Sequence, residues 1–137
     1  MTEVPISRVT TLKEITPDIN SSSYVVYWVI AFKRTKYNYA LQRAVEWANK
    51  LSQPLVILEP IILDYPMSSL RFHKFMLDGM SEMNDEISKT MAYYYPFIET
   101  SPGEADGLLQ DLAINASVVV TDEFRANTLG FSSTTWL

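Results

Sequence analysis

Five residues are candidates for contact with a ligand: Trp28, Lys33, Arg34, Asn38 and Asp122, with Arg71 as a sixth. Lys33, Arg34 and Lys36 cluster at the start of a stretch with helical periodicity. Cations beside the free N–H groups of a helix start are suited to a phosphate or a carboxylate. Trp28 closes an apolar run and offers a flat ring for stacking, while Asp122 closes another as a lone carboxylate. Each has a structural alternative: Trp28 packs in the core or at its rim, and Arg34 pairs with Asp122 or another acid to brace the loops. No nucleophile or acid–base partner accompanies Asp122, so a hydrolase is not indicated.

The elements that must position these residues alternate. Tyr24–Ile30 is a β-branched and aromatic run and reads as a buried strand. From Arg34 to Leu51, apolar residues recur at Tyr37, Ala40, Leu41, Ala44, Val45, Ala48 and Leu51, the spacing of one helical stripe, with Trp47 at its edge. Pro54–Glu59 predicts a second strand, followed by a loop over Pro60–Pro66. Ser68 or Ser69 caps a helix reaching about Lys89, with Phe72, Phe75, Met76, Met80, Met83 and Ile87 as its core face. Tyr93–Glu99 reads as a third strand, whose Tyr93-Tyr94-Tyr95 run covers an edge or meets a partner. Ser101-Pro102-Gly103-Glu104 forms a capping box that opens a third helix through Ala113, and Ser117–Thr121 is a fourth strand. Strands alternating with amphipathic helices predict an α/β fold, a parallel sheet covered on both faces. Residues 1–23 read as an N-terminal arm, 24–124 as the α/β domain, and 125–137 as an irregular tail or short edge strand.

Composition narrows the chemistry. The chain has 137 residues, enough for one domain with its own core. It has no cysteine and one histidine, His73, which excludes disulfides, thiol catalysis and Cys- or His-rich metal sites. The net charge of −5 disfavours direct nucleic-acid binding. The apolar run Tyr24–Phe32 is far short of a membrane span, and no secretory signal is visible, so a cytoplasmic protein is expected. Neither G-x-G-x-x-G nor G-x-x-x-x-G-K-[ST] follows the first strand.

Val25-Val26-Tyr27-Trp28, then Arg34 and Asn38, then Ala40-Leu41, resemble the first strand and helix of DNA photolyases of the class II and archaeal–plant kind. Leu70-Arg71, Phe75-Met76-Leu77, Gly79 and Glu82 resemble the second helix of the same N-terminal domain, and Val118–Asp122 its fourth strand with the terminal Thr-Asp. The resemblance implies a Rossmann-like, doubly wound parallel sheet of four to five strands, order 3-2-1-4-5, that can hold a deazaflavin or folate antenna chromophore. In such enzymes a helical domain holds FAD and binds damaged DNA. FAD is not expected in this chain, which is not expected to repair DNA alone. A helical FAD-domain partner or a homodimer is the expected association. In that strand order the crevice lies between the ends of strands one and four. Trp28 to Arg34 then form one wall and Thr121 to Arg125 the other. Ile30-Ala31-Phe32-Lys33 departs from the polar loop common in the family, and the residues after Asp122 depart from its usual continuation. The alternative is a non-catalytic interaction or oligomerisation module, a truncated or degenerate relative.

Overall fold

The computed structural model describes residues 3–13, 20, 23–63 and 69–122. Four strands, β1 (Tyr24–Trp28), β2 (Leu55–Ile61), β3 (Tyr93–Ile98) and β4 (Ala116–Thr121), alternate with three helices, α1 (Tyr39–Leu51), α2 (Leu70–Ile87) and α3 (Leu108–Ile114). The strands form one sheet in the order β3-β2-β1-β4, and every pairing is parallel. This is the predicted α/β Rossmann-like architecture. The fifth strand and the tail expected beyond Phe124 lie outside the described residues.

Alternation along the strands explains the layers. Val25, Tyr27 and Val29, with Leu55 and Ile57, form one buried cluster with Ala44 and Ala48 of α1 and Met83 and Ile87 of α2. Val26 and Leu58 point to the other face and are also buried. Right-handed crossovers put α3 on that face, where the Tyr24 hydroxyl donates to the Leu112 carbonyl at 2.8 Å. Burying each of these aliphatic side chains contributes roughly 1.5–3 kcal/mol, so the inner strands carry most of the driving force.

Element boundaries differ from the sequence reading where polar groups compete for the backbone. α1 starts at Tyr39 rather than Arg34, because Asn38 is its N-cap and accepts from the Leu41 N–H. Tyr37 therefore lies outside the helix, at φ 54° and 91% exposed. β2 runs through Pro60 to Ile61 instead of ending at Glu59. α3 begins at Leu108, because Gly103 and Gly107 adopt φ of 89° and 82° and residues 102–107 form turns. The Glu104 carboxylate does bond back to Thr100, so the box closes a turn rather than a helix start.

α2 departs most from its expected stripe. Ser69 caps it by accepting from the Phe72 N–H at 3.2 Å, but only Met80, Met83 and Ile87 are buried. Phe75, placed on the core face from its spacing, is 75% exposed. The N-terminal arm is partly docked: Val4 is buried, its N–H donates to Glu46 Oε1 at 2.8 Å, and the Arg8 guanidinium lies over the Tyr39 ring.

Candidate functional site

The predicted residues converge on the carboxyl end of the sheet, at the junction of β1 and β4. Asp122, the residue after β4, is 2% exposed. Its carboxylate accepts from the N–H groups of Ile30 (2.8 Å), Ala31 (3.1 Å) and Phe32 (2.7 Å), and from the Tyr27 hydroxyl at 3.2 Å. The loop after β1 thus curls its amides around an acid of the same chain. The remaining donors there are also used: Val29 N–H reaches Leu58 O, Lys33 N–H reaches Ala31 O, and Arg34 N–H reaches Phe32 O. Every backbone donor from Val29 to Arg34 has a partner, so the loop is held without secondary structure.

Asn38 completes the network. Its Nδ2 lies 3.0 Å from the Tyr27 hydroxyl, the Phe32 carbonyl and the Arg34 carbonyl, while its Oδ1 caps α1. Burial, reinforced by the negative charge of Asp122, holds the Tyr27 phenol far above its ordinary pKa. Tyr27 therefore stays protonated as a donor to the carboxylate.

A second buried carboxylate sits on β2. Glu59 is fully buried; it accepts from Lys33 Nζ at 2.9 Å and from the Tyr94 hydroxyl at 2.6 Å. Burial, together with the hydrogen bond to Glu59, pushes the Tyr94 phenol strongly upward. A third acid follows β3. Glu99 is 3% exposed and accepts from the N–H groups of Leu63, Gly103 and Ala105. Glu59 and Glu99 were not picked out by motif. The signal was nonetheless present: the second, third and fourth apolar runs all close on an acid, Glu59, Glu99 and Asp122.

The structure brings Asn38 and Asp122 together through Tyr27 and separates the other candidates. Lys33 turns to Glu59. Arg34 does not pair with Asp122, whose oxygens the amides already fill. It donates from Nη2 to the Tyr37 carbonyl at 3.1 Å and lies over the Phe32 ring, 5.4 Å from its centroid. Trp28 alternates with Tyr27 and so points to the opposite face, half-buried, with its carbonyl accepting from Thr121 Oγ1. Arg71 is exposed on α2. His73 is partly buried, its Nε2 without a hydrogen-bond partner among the described residues. Among the described residues no group of acids and histidines could hold a metal ion, and no helix is long and apolar enough to cross a membrane.

Chemically, the amide cradle at the end of β1 would suit an anion, but Asp122 occupies it. What remains open at the crevice is an aromatic and cationic rim: Phe32, 42% exposed, with Arg34 over its ring, and the exposed Lys36 two residues further along the same loop. That rim suits a flat ring bearing negative charge better than a buried phosphate.

A Rossmann-like α/β domain with a self-filled switch point is the class that fold and site define. No protein-family model matches the chain. The chain is similar to the deoxyribodipyrimidine photo-lyase of Methanothermobacter thermautotrophicus, with 30% identity over 115 residues. The match covers 84% of this chain and 25% of that protein, so the chain spans about a quarter of the length of the relative it matches. The similarity relates the chain to the photolyase family.

Proposed function

We propose that this chain is a photolyase-type α/β domain of the N-terminal, antenna kind, which supports DNA photorepair by holding a light-harvesting chromophore and is not competent for repair alone. The observation that carries this reading is the 30% identity over 84% of a chain whose sheet has the order β3-β2-β1-β4. The rim of Phe32, Arg34 and Lys36 is the binding surface, with Trp28 on the far face of β1. Asn38, Lys33 and Asp122 act behind it by fixing the loop.

Titration of the purified chain with a deazaflavin and with a folate, followed by ligand fluorescence, tests the reading. Saturable binding of one of them, weakened about tenfold or more by Arg34→Ala with unchanged circular dichroism, is expected. Absence of saturation up to about millimolar ligand would refute it.

The interaction-module reading is favoured by a separate observation: Leu70, Phe75 and Leu77 of α2 are 88%, 75% and 42% exposed.

A further inference from the structure

The first half of α2 adds no buried residue to the core of its own chain. From Leu70 to Gly79 no residue is buried; the helix is anchored by Met80, Met83 and Ile87. Arg71, Phe75, Gly79 and Glu82 recur at steps of three and four and share one side of the helix. Glycine is a poor helix former, retained where something must approach closely. A Cβ built on Gly79 would meet nothing within 4 Å, so the chain's own packing does not account for it.

Charge identifies the occupant. Arg71, Lys74 and Asp78 lie in the first half of α2, and Glu82, Asp85 and Glu86 in the second, so the first half carries the cations and the second only acids. Lys74 pairs with Asp78 within the helix, and Glu86 accepts from the Thr35 hydroxyl. Among the described residues Arg71, Glu82 and Asp85 form no ion pair. A partner of uniform charge would be repelled by one half of this helix. A parallel copy would set acid against acid. A reversed copy meets each half with its opposite.

We propose that the chain self-associates through α2, with the two helices antiparallel about a two-fold axis midway between Phe75 and Gly79. Phe75 of each copy fills the open space at Gly79 of the other, and Arg71 of each lies beside Glu82 of the other. The interface is isologous, so both contacts form twice. A single helix pair is smaller than a standard interface, so the association is expected to be weak, with a dissociation constant on the order of 10–100 µM. None of Arg71, Phe75, Gly79 and Glu82 belongs to the rim of Phe32, Arg34 and Lys36 invoked for chromophore binding, so sedimentation and ligand titration test the two separately.

Sedimentation equilibrium of the full chain from about 5 to 500 µM tests this, a range that brackets the expected constant. A monomer–dimer equilibrium is expected. Phe75→Glu weakens it at least about 30-fold, and Arg71→Glu or Glu82→Arg each about tenfold, with circular dichroism unchanged because all three side chains are exposed. The double charge exchange, Arg71→Glu with Glu82→Arg, restores association to within about threefold of the parent. A monomer throughout the range, a dimer indifferent to Phe75→Glu, or a double exchange that restores nothing would each overturn the proposal.

Discussion

The Tyr27 hydroxyl donates to Asp122 across the β1–β4 junction at 3.2 Å, with both residues buried and three loop amides on the same carboxylate. The pair ties the centre of the sheet to the loop that forms the rim, so the shape of the rim depends on one acid. Asp122→Ala leaves those donors without an acceptor inside the protein. The expected loss of stability is about 3 kcal/mol or more, since each orphaned buried donor costs roughly 1–3 kcal/mol. Tyr27→Phe removes one donor and leaves the amides satisfied, so its cost is smaller, about 1–2 kcal/mol. Urea unfolding of the two variants checks the order; equal losses would contradict the assigned dominance of the loop amides.

Lys33 and Glu59 form an ion pair in which the carboxylate is fully buried and the ammonium partly exposed. Removing one partner is costly because the other charge stays behind. Lys33→Met leaves Glu59 with Tyr94 alone and is expected to cost about 2–4 kcal/mol. Adding Glu59→Gln removes the stranded charge and recovers at least about half of that loss. A double variant as unstable as Lys33→Met alone would show that the pair contributes through packing and not charge.

These two networks mark how much was legible in the sequence. The alternation of strands and helices was readable because each apolar run is long and the helical stripe Ala40, Leu41, Ala44, Val45, Ala48 is regular. The convergence of Asn38 and Asp122 was also readable, since both stand at element ends that a parallel sheet gathers on one edge. Their occupation by one another was not, because which donors fill a carboxylate depends on loop geometry with no periodic signature. Charge alone sets Arg34 against Asp122 or another acid, whereas neutral amides at 2.7–3.1 Å fill Asp122 and Arg34 donates to the Tyr37 carbonyl. Phe75 departs from the helical stripe for another reason. Helical spacing records which residues share a side, and cannot record that only the second half of α2 reaches the sheet.

Tyr27 and Tyr94 predict how the fold fails in alkali. Burial, with the nearby carboxylates Asp122 and Glu59, raises both phenols above the ordinary value of 10.0. A raised native pKa stabilises the fold in full below the unfolded pKa, and that contribution is lost as pH rises from there through the native one. Stability should fall from pH 10 upward, as the unfolded chain ionises two phenols that the native chain keeps neutral. Tyrosinate absorbance and far-ultraviolet circular dichroism should change together for these two groups. Tyr27→Phe and Tyr94→Phe should each flatten the decline, and a decline unchanged in both variants would rule out their part in it.

Glu46 links the arm to α1 with the opposite sign. Burial raises its pKa, but hydrogen bonds from Arg43 and the Val4 N–H outweigh that and hold it below the ordinary 4.5. A lowered native pKa stabilises the docked arm above the unfolded value, and the contribution is lost as pH falls through the native one. Acidification below 4.5 should therefore release Val4 and the Arg8–Tyr39 contact before the sheet unfolds, because the core cluster contains neither Val4 nor Glu46. The Val4 amide resonance, followed by NMR between pH 7 and 3, should shift with a midpoint below 4.5 while resonances of β1 hold. Glu46→Gln should abolish that midpoint. A Val4 resonance that moves only with those of β1 would mean that the arm unfolds with the domain and is not released by Glu46.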